Sequence, residues 1–347
     1  MLRCCCILLI ALNLACAQSP EEVGRVAASD STAVPFRGVN WVSTSGSVPA
    51  HSFDHLQKIN ANSVAIVPFG FISEEPRVFY NLDWQWWGER KEGVSELIKD
   101  ARSRGLQVMV KPQVWITQGA HGSFTGDYDA GSEEGWQSVE QSYYDYILFF
   151  ARLADSLDCQ LFCIGTEFKN FHQQRPQFWS MLIDSVRANF KGQLTYAGNW
   201  DSYQSFPHWP KLDYIGIDAY FPVSDQQTPT VENCKAGWQP WLQSIQQHQQ
   251  QLGKPVIFTE FGYRSLDYCA KEPWHSSHSD GVNLQAQQNA YEALFQVFWD
   301  QAWFTGGFLW KWFPDHQKAG GMENNRFTPQ NKPVEKTIGE WYSSKER

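Results

Sequence analysis

At 347 residues, with 42% hydrophobic and 15% aromatic content, the chain is long enough to bury a large core, and a barrel of about 250 residues needs no second domain. The 28 basic and 37 acidic residues give a net charge of -9 without a basic block, which excludes the electrostatic footprint of a nucleic-acid-binding protein. The 17 Trp and 23 Phe exceed what a core of this size needs, and many stand beside polar or Gly residues, which points to an aromatic-lined cleft.

The chain opens with Met1-Leu2-Arg3, an apolar stretch from Cys4 to Ala15 and polar residues from Gln18, the layout of an export signal over residues 1–17. That stretch is too short to span a bilayer stably. Ala15-Cys16-Ala17 offers a small-x-small cleavage site, while Leu12 to Cys16 resembles an imperfect bacterial lipobox in which Cys16 carries a lipid anchor. Both routes stay open, and both place the protein outside the cytoplasm, as a secreted, periplasmic or cell-surface protein. Residues 18–34 are polar and small, a linker ahead of a folded domain at 35–345.

Within that domain, eight apolar, β-branched or aromatic runs read as strands, at 36–41, 63–69, 107–115, 161–165, 194–199, 214–220, 256–261 and 307–312. Amphipathic segments at 92–104, 138–156, 177–189, 238–252 and 284–301 alternate with them as helices, and the helix after the fifth run is poorly marked. Eight such alternations predict a (β/α)8 barrel, the TIM-barrel class of α/β fold. The loops after the runs, at 70–87, 116–136, 222–237 and 262–282, are long and aromatic, whereas those before them are short. In a closed parallel barrel the post-strand loops gather at one end, which makes that end the working face. No Gly-rich phosphate loop follows the first run, as an open dinucleotide-binding sheet requires.

Four of the eight cysteines lie in the leader. Cys159 and Cys163 flank one run, where four residues at ~3.3 Å each hold them roughly 13 Å apart, too far for a disulfide. Cys234 and Cys269 fall in two loops of the same barrel end, and export permits them to pair. The cysteines lack zinc-type spacing, and His275 and His278 have neither strand support nor a carboxylate partner at metal spacing, so neither a metal nor another cofactor is expected. No G-x-S-x-G elbow supports a serine nucleophile.

Two carboxylates carry the chemistry. Leu161 to Glu167 puts one Glu just past the fourth run, and Val256 to Gly262 puts Glu260 at the end of the seventh. A single Glu after a strand is usually a cap or a surface charge, but each of these follows a Thr inside a hydrophobic run, and both open onto one barrel mouth. Cleavage of a glycosidic bond needs such a pair: one acid to protonate the leaving oxygen and one carboxylate to attack or stabilise the anomeric carbon. Their environments must differ, the acid in drier or more negative surroundings and the nucleophile among donors.

Lys111 lies within the third run, where an unpaired ammonium is costly, so it is expected to reach the mouth and bond a hydroxyl or a carboxylate. Trp41, Trp115, Trp200, Trp310 and Trp312 fall at or just past run ends, where a flat ring can cover the apolar face of a pyranose. Alternation puts Trp310 and Trp312 on one face. Asn199 closes the fifth run, and Asp218 and Tyr220 share one face of the sixth, where Asp218 is either a binding residue or a buried structural one.

The segments Arg37-Gly38-Val39-Asn40-Trp41, Val110 to Trp115, Ile164-Gly165-Thr166-Glu167-Phe168, Ile217-Asp218-Ala219-Tyr220 and Phe258 to Tyr263 together resemble glycoside hydrolase family 113, over roughly residues 35–343. The family belongs to the clan A retaining glycosidases, and its characterised activity is endo-β-1,4-mannanase. The resemblance implies a double displacement on mannan, glucomannan or manno-oligosaccharides, with Glu260 as nucleophile and Glu167 as acid, then base. It also implies that Tyr220 donates to the nucleophile and that Trp310 or Trp312 lies under the sugar at the cleavage point. Most of the clan places Asn before the acid/base to hold the sugar 2-hydroxyl, whereas this chain has Thr166. Another clan A β-glycanase (glucanase, xylanase or galactanase) or a non-catalytic glycan-binding barrel is the alternative, and a monomer is the expected state.

Overall fold

Two prolines decide how the strands divide. Pro68 and Pro112 lack the N–H that a ladder needs, so the predicted runs 63–69 and 107–115 each break into two. In the computed structural model, which describes residues 35–49, 51–117, 124–275 and 281–343, the elements run as follows. They are β1 (Phe36–Trp41), α1 (Asp54–Lys58), β2 (Ser63–Ile66), β3 (Phe69–Ile72), α2 (Lys91–Ser103), β4 (Gln107–Val110), β5 (Gln113–Ile116), α3 (Glu133–Ser156) and β6 (Leu161–Thr166). There follow α4 (Lys169–Gln174), α5 (Pro176–Asn189), β7 (Gln193–Asn199), β8 (Ile215–Asp218), α6 (Val231–Leu252), β9 (Val256–Phe261), α7 (Leu284–Phe298), β10 (Phe304–Trp312) and α8 (Pro333–Ser343). The leader with Cys16, the linker of residues 18–34, and His278 lie outside the described residues.

Eight parallel strands close the barrel in the order β1, β2, β4, β6, β7, β8, β9, β10, with β10 pairing back to β1, so the fold is the expected (β/α)8 barrel. The upper halves of the two broken runs, β3 and β5, form a separate parallel pair at the working end.

Each barrel strand is buried on both faces, as in all-parallel sheets, and period-two alternation sorts its residues. Phe36, Ala65, Met109, Leu161, Cys163, Ala197, Ile257 and Phe308 fill the interior. Their neighbours Val39, Val64, Val108, Phe162, Ile164 and Phe258 pack outward in the helix-facing core. Gly38 is required by this packing, because a Cβ there would come within 2.3 Å of the Phe308 ring.

Helix boundaries shift where the capping chemistry is stronger than the apolar pattern. α6 starts seven residues before the predicted 238, at a capping box in which Thr230 and Asn233 bond each other's backbone N–H at 3.1 Å. Gly237, which reads as a loop residue, stands inside this helix because it passes against the Val223 carbonyl, 1.7 Å from where a Cβ would lie. Between β7 and β8 the poorly marked helix is replaced by two single 3-10 turns, Tyr203–Ser205 and Trp209–Lys211, in a segment carrying Pro207 and Pro210.

The expected Cys234–Cys269 disulfide is corrected: both are free thiols, as are Cys159 and Cys163, and all four are buried. Cys234 sits in the first turn of α6 and Cys269 in the segment after β9, both within the apolar core. Burial pushes the Cys234 thiol up to about 12 and Cys269 higher still, which suppresses the thiolate that exchange requires. No helix among the described residues is long and apolar enough to cross a membrane.

Candidate active site

The inward face turns polar toward the mouth. Along β4 and its continuation the inward positions read Met109, Lys111, Gln113, and along β8 they read Gly216, Asp218, Tyr220, so each strand rises from apolar floor to polar rim. Asn40 belongs to the same layer and is wholly buried, its amide donating to the carbonyls of Thr259 (3.1 Å) and Phe308 (3.0 Å).

Both strands that deliver a glutamate are bulged near their ends. On β9 the register passes from Ile217 opposite Phe258 to Asp218 opposite Glu260, which leaves Thr259 as the extra residue. Thr259 and Glu260 then both serve the interior: the Thr259 hydroxyl donates to Asp218 Oδ1 at 2.7 Å, while Glu260 faces the mouth. On β6 the register slips between Cys163 and Thr166, and Glu167 follows in the left-handed region at φ 58°. Bulges recur beside active sites because they re-aim a side chain. A non-Gly residue at positive φ costs on the order of 1 kcal/mol, held here by the bond from Glu167 N–H to the Ala197 carbonyl at 2.8 Å.

Glu260 is buried and surrounded by donors. Lys111 Nζ and Gln113 Nε2 (2.6 Å) both bond Oε1, and the Tyr220 hydroxyl donates to Oε2 at 2.6 Å. Lys111 is completely buried; burial works to lower its pKa, but the Glu260 and Asp218 charges outweigh that and carry it above the usual value. Glu167 has the opposite setting. Burial at the cleft floor, then the Asp218 and Glu260 charges, raise its carboxyl well above the usual range, against a smaller opposing effect of Lys111. One carboxylate thus accepts hydrogen bonds from three donors, and the other is biased toward its protonated form.

The two glutamates share a cleft of about 710 Å³. Of the residues expected there, Trp115, Thr166, Asn199, Trp200, Tyr220 and Trp310 line it, and Lys111 lies beneath, 5.4 Å from the centre of the Trp310 ring. Asn199 donates to Asp201 at 3.0 Å. The Thr166 hydroxyl is buried without a hydrogen-bond partner.

Three expected binding residues are corrected. Trp41 is on the outward face of β1, 2% exposed, and stacks on Phe53 at 4.1 Å. Its parity with Val39, opposite to Asn40, accounts for this. Trp312 is fully buried in the outer core, because β10 shifts register against β1 between the partners of Val39 and Trp41 and the alternation from Trp310 fails. Asp218 does not line the cleft but lies completely buried below it, bonded to Thr259.

Gln113, Trp274, Phe69, Phe124 and Phe327 line the cleft without having been singled out from sequence. Counting by twos from Lys111 would have found Gln113. Trp274, in a long loop, stacks on Trp200 at 4.9 Å with 16° between the planes, a pairing that no local pattern announces. Among the described residues no group of three or more His, Cys, Asp or Glu is placed to hold a metal.

Asp218 makes stability pH-dependent. Burial and the Glu260 charge push its carboxyl up to about 8, so between about pH 4 and 8 the folded state holds a proton that the unfolded state has lost. Unfolding free energy from this group therefore falls as pH rises across that window. Asp218→Asn is expected to flatten the fall, as measured by urea unfolding at pH 5 and pH 8; a variant with the same slope as the unmutated protein contradicts the assignment.

A family model for Glycoside Hydrolase Family 113 matches residues 39–332. Among curated proteins none matches. Similar solved structures include a complex of a GH113 β-1,4-mannanase, 22% identical over 90% of this chain and 100% of that one, with a TM-score of 0.76. The GH113 β-mannanase AaManA from Alicyclobacillus acidocaldarius in complex with ManMIm is 23% identical over 90% and 98%, with a TM-score of 0.75. A Faecalibacterium prausnitzii β-glucuronidase is 14% identical over 89% of this chain and 49% of that one, with a TM-score of 0.60. At these identities the structural likeness speaks for the barrel alone. The family model spans most of the barrel, including both glutamate-bearing strands, and by it the chain belongs to glycoside hydrolase family 113.

Proposed function

We propose that this glycoside hydrolase is a retaining endo-β-1,4-mannanase in which Glu260 is the nucleophile and Glu167 the acid and then the base. The observation that carries the roles is the difference between the two carboxylates, Glu260 among three donors and Glu167 raised in pKa. Glu167 gives its proton to the glycosidic oxygen as Glu260 attacks the anomeric carbon, releasing one half of the chain and leaving a glycosyl ester. Glu167, now an anion, takes a proton from water, whose oxygen displaces Glu260 and restores the starting configuration. Trp310 serves as the platform beneath the sugar at this point, and Thr166 Oγ1 is available to a sugar hydroxyl.

Mannan as substrate rests on the likeness to the GH113 β-1,4-mannanases of similar structure. Such a polymer is met outside the cell, so the proposal includes export through residues 1–17, and action as a monomer. A panel of mannan, glucomannan, glucan, xylan and galactan with product sizing tests it: release of short oligosaccharides from mannan with the β-anomer formed first is expected. Cleavage of xylan or glucan alone would reassign the substrate, and a first-formed α-anomer would overturn retention.

Tyr220→Phe removes one donor from Glu260 while keeping the ring. A hydrogen bond to a charged group contributes about 1.5–3 kcal/mol, so kcat/KM is expected to fall roughly tenfold to a hundredfold at unchanged fold. Steady-state kinetics with circular dichroism checks it, and native kinetics would remove Tyr220 from the machinery.

A further inference from the structure

The β3–β5 pair has two unlike faces. Gly70, Ile72, Val114 and Ile116 are buried on the side of the outer, helix-facing core, where Gly70 approaches Val78 and Tyr146, while Phe69, Phe71, Gln113 and Trp115 lie on the opposite face, the one Gln113 shares with Glu260. Parallel pairing sets Phe69 beside Gln113 and Phe71 beside Trp115, so the open face is two ranks deep. The first rank touches the chemistry, since Gln113 bonds Glu260 and Phe69 lines the cleft. The second rank lies about 6.6 Å farther along the strands, away from Glu260. There the Trp84 ring meets Phe71 edge-on, at 5.1 Å and 63°. Trp84 is 63% exposed and Trp115 54%, so their rings remain free to receive a ligand.

We propose that Phe71, Trp84 and Trp115 form a distal subsite that holds a β-linked hexose chain leaving the catalytic cleft, and that Trp84 makes the enzyme prefer long chains. The occupant follows from continuity: Phe69, Gln113 and Trp115 line the cleft, Trp115 pairs beside Phe71, and Phe71 meets Trp84, so a chain bound in the cleft can extend over this strip of rings. Flat aromatic surfaces cover the apolar faces of pyranoses without demanding a particular hydroxyl pattern, so the strip gains affinity from chain length rather than from sugar identity. This inference rests on the reading that the cleft takes such a chain.

The test is Trp84→Ala, an exposed site where folding is not at stake, with Trp84→Phe as the conservative variant. On β-1,4-manno-oligosaccharides of increasing length, kcat/KM for Trp84→Ala is expected to match the unmutated enzyme on the shortest substrates and to fall roughly threefold to tenfold on the longest and on polymer, mainly through KM. Trp84→Phe should recover most of the loss. Equal kcat/KM at every length, or an equal loss at every length, overturns the subsite. If the unmutated protein cleaves no mannan substrate, the mannan reading fails separately. The strip is then judged by retardation in gels containing glucan or xylan: loss of retardation in Trp84→Ala supports it, and unchanged migration overturns it.

Discussion

Glu260→Ala is expected to lower kcat/KM on polysaccharide by roughly four to six orders of magnitude, the scale seen when a covalent nucleophile is removed. The loss is large because no other group stands in its place to form the glycosyl ester, and Lys111, Gln113 and Tyr220, which bond that carboxylate, lose their shared acceptor. Azide added to the variant should enter the vacated space and attack from the nucleophile's side, giving a glycosyl azide of inverted configuration that the unmutated enzyme never makes. The substitution also leaves the Lys111 ammonium buried beside Asp218 without its hydrogen-bonded partner, which is destabilising. Glu260→Gln keeps an acceptor oxygen for Lys111 and should be equally inactive with a smaller loss of melting temperature. Near-native turnover in the folded glutamine variant would remove Glu260 from the reaction.

Glu167→Gln tests the other half. On polysaccharide, a drop of roughly a hundredfold to ten-thousandfold is expected, the usual contribution of a positioned general acid. On an aryl glycoside with a good leaving group the first step needs no proton, so the glycosyl ester should form at a much less affected rate and then accumulate, seen as a burst. The pH profile supplies an independent sign. Glu167 must be protonated for the first step, and its pKa is raised, so the unmutated enzyme loses activity as pH climbs through that raised value. The alkaline limb should vanish in Glu167→Gln. Its persistence would assign the limb, and the acid role, to another group.

Much of this was legible in the sequence because barrel strands are regular. β9 coincides with its predicted run, and the placement of Glu167 and Glu260 at the ends of the fourth and seventh barrel strands follows from counting eight alternations. Lys111 was identified by the cost of its burial, and the structure places it against Glu260. What failed was extrapolation across irregularities. Trp312 was assigned to the mouth by strict alternation, and a register slip between β1 and β10 turns it into the core. The small β3–β5 sheet was invisible because Pro68 and Pro112 sit inside runs that otherwise read as continuous strands. The raised pKa of Glu167 comes first from burial and then from the Asp218 charge, both of which arise through the fold and not through any local spacing.

The Tyr342 hydroxyl on α8 donates to the Gly38 carbonyl on β1, 304 residues away, and β1 is flanked on one side by β2 and on the other by β10. During synthesis β1 therefore emerges first and waits longest, with one row of its backbone donors and acceptors unmatched until nearly the whole barrel has been made. An apolar strand in that state is a template for pairing with another chain. The ring is sealed by its most distant contacts, so truncations that remove β10 and α8 should yield aggregates rather than smaller barrels.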